Sequence, residues 1–286
     1  MSLLEAGTVV TMEVAREAEF GHFLTDGNYD VLLHKRERTG ELEIGQQVEV
    51  FLYQDKQGRL SATMTIPEVQ VGKYGWAEVA EVKEHLGVFI NIGISKDILI
   101  HKDDLPKLIT VWPTVGGKVY CRLKTDKNGR LLGKLATENI MEEIFTLANP
   151  SVYNKNVTGI VYRTLHTGTF IITEEGYRGF VHESQRESEP RIGEQVEGRV
   201  IDVKEDGTVN ISLLKRGYEK LDDDAEKIFS YLQGRRGSMP YSDKSEPEDI
   251  EKRFNMSKGA FKRALGRLMK AGRVYQKEGW TYVKEK

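Results

Sequence analysis

Apolar and polar residues alternate along most of the chain up to Leu214, and one arrangement recurs three times. Phe20-Gly21-His22-Phe23-Leu24 precedes Val31-Leu32-Leu33-His34, Leu86-Gly87-Val88-Phe89-Ile90 precedes Ile98-Leu99-Ile100-His101, and Thr167-Gly168-Thr169-Phe170-Ile171 precedes Gly179-Phe180-Val181-His182. The histidines follow Phe23, Phe89 and Phe170 by 11, 12 and 12 positions. A Gly-x-x-Val landmark comes next in each copy, at Gly45, Gly116 and Gly193, and then a β-rich stretch turning at Gly58, Gly129 or Gly207. Self-similarity at this spacing, with short β-branched runs between Gly, Asp and Asn turns, predicts small five-stranded antiparallel barrels that each close their own core, strung as beads. The expected boundaries are 1–66, 70–138 and 154–215, with a helical linker at 139–153 in which Met141, Ile144, Phe145 and Ala148 share a face.

Strand parity predicts where the repeated residues point. Val88, Ile90 and Ile92 belong to the interior, which puts Phe89 outside, and Leu33 inside puts His34 outside. In the third copy Phe170 shares its parity with Ile172, so alternation alone does not assign that ring. Rings repeated on an outer face make a platform on which bases stack; the plainer alternative has the phenylalanines capping the barrel end and the histidines bonding local backbone.

Beyond Leu214 the period becomes helical. Asp222-Asp223-Asp224 suits a helix start, and Ala225, Ile228, Phe229 and Leu232 form its apolar stripe. Pro247 opens a second helix running to about Phe254, and Ser257 caps a third that ends at Gly272. On that third helix Phe261, Ala264, Leu265 and Leu268 face one way, Arg263, Arg267 and Lys270 the other, with Lys258 and Lys262 alongside. A strand, turn and strand over Arg273–Val283 complete an α+β winged-helix domain, expected at 222–286.

Charge sharpens the picture. The 286 residues sum to −2, yet 251–286 hold eleven Lys/Arg against three acids, which leaves −10 on the rest. A basic end on an acidic body suits a polyanion partner. Within the body the copies differ: −6 over 1–70, +3 over 71–138 and −3 over 154–214. At 39% hydrophobic the chain has material for several cores, and it has neither a run long enough to span a bilayer nor a signal peptide, so a cytoplasmic, non-membrane protein is expected.

The repeated residues resemble the S1 RNA-binding domain, a barrel of the OB type with the pattern Gly-x-Phe, aliphatic-aliphatic-His, Gly-x-x-Val and Asp-x-x-x-Arg. The resemblance implies an RNA face of Phe20, Phe23, His34, Asp55 and Arg59 in the first copy. In the second it implies Phe89, His101, Asp126 and Arg130, with Leu86 in place of the first aromatic. In the third it implies Phe170 and His182, with Thr167 and Thr208 where an aromatic and the arginine belong. Three such barrels followed by a winged helix resemble the conserved virulence factor B family, which implies RNA binding and post-transcriptional regulation.

Enzymatic chemistry finds no foothold. Gly116-Gly117-Lys118-Val119 lacks the hydroxyl of a phosphate-binding loop, no His-Glu-x-x-His occurs, and the one cysteine, Cys121, alternates as a buried strand residue. The expectation is a non-enzyme with no metal, cofactor or small-molecule substrate, whose partner is single-stranded RNA, with the ribosome or another protein as a further partner. The competing readings are a DNA-binding transcription regulator acting through the winged helix and a translation-associated factor.

Overall fold

The computed structural model describes residues 4–284, without the side chains of 217–220. It falls into two compact units, 1–213 and 214–286. The first unit contains three closed barrels of five strands each. Barrel 1 comprises β1 (Val9–Ala18), β2 (Gly21–Thr25), β3 (Asp30–His34), β4 (Gln47–Gln54) and β5 (Leu60–Thr63). Barrel 2 comprises β6 (Gly75–Lys83), β7 (Gly87–Asn91), β8 (Ile98–His101), β9 (Lys118–Thr125) and β10 (Leu131–Leu135). After a short helix α1 (Glu138–Glu142), barrel 3 comprises β11 (Asn156–Leu165), β12 (Gly168–Thr173), β13 (Arg178–His182), β14 (Gln195–Val203) and β15 (Val209–Ser212).

The alternation read from the sequence is the alternation of burial. Leu24, Val31, Leu33, Val50 and Leu52 fill barrel 1, and Val161, Ile171, Val181, Val200 and Ile211 fill barrel 3. One pairing departs from an all-antiparallel barrel: the third and fifth strands run parallel in every copy, as at Leu32↔Ser61, Leu99↔Leu132 and Phe180↔Asn210. The fifth strand follows the fourth through a tight turn, so it must meet the third in the same direction to close the ring.

The glycine opening each second strand has a steric cause. Gly21 and Gly87 hold φ of +157° and +140°, and a Cβ on either would lie 2.1 Å from the carbonyl oxygen of Leu33 or Ile100 on the neighbouring strand. Only glycine lets the chain turn into the second strand so close to the end of the third.

The barrels are not independent beads. Ala6, Phe51 and Tyr53 of the first share a continuous apolar cluster with Val79, Ile90 and Leu123 of the second and Ile192 of the third. Lys96 Nζ donates to the carbonyls of Gln54 and Asp55 at 2.6 and 3.2 Å, and the backbone N–H of Lys118 donates to Gly193 at 2.9 Å. The linker is α-helical over only Glu138–Glu142, with a 3-10 turn at Pro150–Val152 before barrel 3. Past α1 it runs extended across barrel 3, with Thr146 N–H donating to Gly176 and Ala148 N–H to Gly207.

The second unit is a winged helix: α2 (Gly217–Gly234), β16 (Ser238–Met239), α3 (Pro247–Phe254), α4 (Lys258–Lys270), β17 (Val274–Lys277) and β18 (Trp280–Val283). The first helix starts at Gly217, five residues before the expected Asp222, so the acidic run lies in its second turn. There the acids face cations: Asp222 pairs with Arg267 at 2.5 Å and Asp223 with Lys215. The other limits follow their caps. Ser257 Oγ accepts the Ala260 N–H at 3.2 Å, and Gly272 leaves α4 with φ +69°. Phe261, Ala264, Leu265 and Leu268 are buried against Ile228, Leu232 and Phe254.

Candidate nucleic-acid interface

In every barrel the second, third and fifth strands present one outer row. Its registers pair Phe23 with Leu32, Phe89 with Leu99 and Phe170 with Phe180. The phenylalanines therefore stand outside the core in all three copies, Phe170 included. Ile172, on the same side as Phe170, is buried where the linker crosses, and it lines a groove with Ile144.

The histidines have a structural occupation. His34, His101 and His182 each end the third strand, and each Nδ1 accepts the backbone N–H two residues on, from Arg36, Asp103 and Ser184 at 3.2, 3.3 and 3.2 Å. The aspartates do too. Asp55 Oδ1 accepts the N–H groups of Gln57 and Arg59 at 2.8 and 3.0 Å while Oδ2 holds Arg59 Nε at 2.9 Å, and Asp126 repeats this on Asn128 and Arg130. The backbone N–H of Arg130, followed by its side chain, holds the Asp126 carboxyl below the usual carboxylate range. The Asp55 carboxyl is also lowered: burial opposes this, but the hydrogen bonds from Arg59 prevail. The arginines, anchored at Nε, still project, with the Arg59 side chain 64% exposed.

Barrel 1 gathers Phe20, Phe23 and His34 at one end, because the Phe20 carbonyl accepts the Lys35 N–H at 2.9 Å. Phe20 is 47% exposed, but Arg16 lies over the Phe23 ring at 3.6 Å and is tied to Asp30 at 3.5 Å. His34 and Arg59 line a cleft of about 370 Å³ with Arg36, Tyr53 and Lys96. In barrel 2, Phe89, Leu99 and Leu132 form the row; His101 lies two residues beyond Leu99 and Arg130 two before Leu132, so they flank it from opposite ends. Lys83 stands 5.2 Å from the Phe89 ring.

Barrel 3 carries the most developed cluster. Phe170 and Phe180 lie 5.1 Å apart, Phe180 and His182 6.4 Å, and Tyr162 and Phe145 extend the series at 6.1 and 5.8 Å. The Arg178 guanidinium sits 5.0 Å from Phe170 and 5.9 Å from Phe145. Glu138 at the start of α1 fixes that cation, with Oε1 accepting from Arg178 Nη2 at 2.6 Å and from the Tyr162 hydroxyl at 3.0 Å, and Oε2 from Arg163 at 3.1 Å. Burial works against ionisation of Glu138, but Arg178, Arg163 and Tyr162 hold its carboxyl below the ordinary range, and burial raises the Tyr162 hydroxyl. Phe170, Arg178, Phe180, Lys204 and Thr208 surround a hollow of about 310 Å³.

The sequence reading missed Phe180, Arg178, Arg163 and Tyr162, though the aligned copies hold the signal. Phe180 fills the slot of Leu32 and Leu99, and Arg178 that of Asp30 and Asp97. The register Gly179↔Val209 sets Arg178 beside Thr208, so the guanidinium missing from the fifth-strand turn returns on the adjacent strand. Asp206 keeps the turn, accepting the Thr208 N–H and hydroxyl at 2.9 and 2.7 Å.

On the winged helix, Lys262, Arg263 and Lys270 are exposed on α4, Lys258 begins the helix half-buried, and Arg267 is held by Asp222. Cys121 is fully buried and its thiol is pushed up to about 12 by that burial, which suits a packing role.

Comparison with known proteins agrees with this architecture. Four family profiles match in order: an S1 domain over 6–65, the CvfB first S1-like domain over 74–134, the second domain of virulence regulatory factor CvfB over 141–215, and a CvfB-like winged helix domain over 226–283. The chain is 51% identical to the uncharacterized protein YitL of Bacillus subtilis, over 99% of this chain and 95% of that one. It is 40% identical to conserved virulence factor B of Staphylococcus epidermidis, over 85% and 84% of the two chains. A crystal structure of a multidomain protein with nucleic acid binding domains from Streptococcus pneumoniae superposes with a TM-score of 0.70 at 36% identity, covering 98% of each chain. With three S1-like barrels, a winged helix and these relatives, the chain belongs to the conserved virulence factor B family.

Proposed function

We propose that the protein is a non-enzymatic, cytoplasmic regulator that binds single-stranded RNA and acts after transcription. The observation that carries this reading is the barrel 3 cluster, where Phe170 and Phe180 offer stacking faces around a hollow edged by Arg178 and Lys204. Aromatic faces take unpaired bases with little sequence preference, at about 1–3 kcal/mol each, and guanidinium groups serve base and phosphate alike. The S1-like family profiles and the S. pneumoniae relative with nucleic acid binding domains support the same class of ligand. On this reading barrel 3 is the principal site. Barrel 1 contributes less, since Arg16 already covers Phe23 and its segment is the most acidic. The cations of α4 supply phosphate contacts.

Fluorescence anisotropy of the full chain with single-stranded RNA and duplex DNA, across a salt series, tests the proposal. Tighter binding to the single strand, weakening linearly on a logarithmic salt axis, is expected. Preference for duplex DNA would turn the reading to transcriptional control, and binding to neither would sink it.

A further inference from the structure

The winged helix carries a second aromatic surface, apart from α4. β17 and β18 join through Glu278 and Gly279, both at positive φ, a two-residue turn that keeps the hairpin tightly twisted. Its registers pair Tyr275 with Tyr282 and Lys277 with Trp280. Val274 and Thr281 point inward and are buried, whereas Tyr275 and Trp280 remain 47% and 41% exposed. The three rings form a ladder: Tyr275 and Tyr282 have centroids 5.3 Å apart at 19°, Trp280 and Tyr282 6.5 Å apart at 25°. Core packing does not require them, because the hydrophobic centre of this unit is built from Ile228, Phe254, Phe261, Leu265 and Val274.

We propose that this ladder is a stacking site for unpaired nucleobases, so that the wing reads single-strandedness while α4 holds phosphates. The inference rests on the single-stranded RNA reading above and names the surface that selects the strand. Two observations favour a nucleic acid over a protein occupant. Lys277 stands opposite Trp280 in the register, within a stretch of net +8. The rings lie nearly parallel, the arrangement that extends a base stack. A duplex keeps its base faces buried in its own stack and has nothing to offer such a ladder; a single strand does.

The test compares full-length wild type with two double variants, Tyr275→Ala/Trp280→Ala and Tyr275→Phe/Trp280→Phe, on a fluorescent oligouridine and on a duplex of equal length across a salt series. The alanine pair should bind the single strand about tenfold or more weakly with an unchanged salt slope, because stacking releases no counterions. The phenylalanine pair should stay within about threefold of wild type, since every base stacks on any ring face. Equal losses in both variants, or a flattened slope, would overturn the proposal in favour of misfolding or phosphate contacts. Wild-type affinity in the alanine pair would assign the ladder to a protein partner and overturn it while leaving RNA binding intact. Failure of the wild type to bind RNA at all would remove both readings.

Discussion

Three phenylalanines occupy equivalent slots, yet their neighbours give them different capacities. Phe23 lies under its own Arg16 at 3.6 Å, and Phe89 has Lys83 at 5.2 Å, a cation paired with Glu81. Phe170 faces Phe180 and has Arg178 fixed beside it by Glu138. A ring covered in van der Waals contact by an intramolecular guanidinium, as Phe23 is at 3.6 Å, must shed it before a base can stack, and that exchange forfeits a cation–π contact of about 0.5–2 kcal/mol; Arg178, 5.0 Å from the Phe170 centroid and held by Glu138, lies outside that contact distance. Arg178→Ala is therefore expected to weaken RNA binding about tenfold, by removing a cation from the hollow. Arg16→Ala should change affinity by less than about threefold, because uncovering Phe23 offsets the lost charge. Anisotropy titrations of the two variants on one oligonucleotide check the order; an equal or larger effect of Arg16→Ala would move the principal site to barrel 1.

The stretch from α1 to β11 shows how local sequence and tertiary contact divide the work. Helical spacing of Met141, Ile144, Phe145 and Ala148 predicted a linker helix, but only Glu138–Glu142 is α-helical, with a separate 3-10 turn at Pro150–Val152. Backbone bonds to Gly176 and Gly207 draw the rest into an extended path, and a helix so short has little cooperative strength to resist. The strands and α3 and α4 were legible because their signals are local: alternation, Pro247, Ser257 and Gly272 act on adjacent backbone. Arg178 was not, because its importance depends on the parallel register beside Thr208, which no short window contains. The start of α2 was also misplaced. Three aspartates suit a first turn, but Asp222 and Asp223 instead satisfy Arg267 and Lys215 across the unit. Glu138 gives this stretch a pH signature. Its folded-state carboxyl ionises below the ordinary value of 4.5, so the folded form binds fewer protons than the unfolded one. Its contribution is complete above that value and is lost as pH falls through the folded one. Glu138→Gln should cost about 1–2 kcal/mol at neutral pH, given hydrogen bonds to charged partners that are partly solvent-screened. Thermal melts of variant and wild type should converge on acidification below 4.5. A gap that persists in acid would show that packing, and not the ion pair, holds the linker.

The continuous apolar cluster from Ala6 to Ile192 makes the three barrels one body, whereas 214–286 forms a unit of its own joined to it by a few residues of chain. Charge is divided along the same line, with −8 on residues 1–213 and +6 on residues 214–286. An acidic body repels a polyanion except where cations gather, so on the proposed single-stranded RNA reading a long strand is drawn to the barrel 3 hollow and to the winged helix. Two weak sites on a tether bind a long ligand far more tightly than either alone, because the second contact forms at an effective concentration in the millimolar range. An oligonucleotide that fills a single barrel, about 4–6 nucleotides, should feel Arg178→Ala and be indifferent to Arg263→Ala/Lys270→Ala. A strand several times longer should bind at least about a hundredfold more tightly and lose affinity to both sets of substitutions. The α4 pair should then flatten the salt slope by about 1.4, the value for two phosphate contacts on a single strand. The length dependence is the decisive part. If short and long strands respond alike to the α4 substitutions, the two units do not share one RNA, and the basic end serves a ligand of its own.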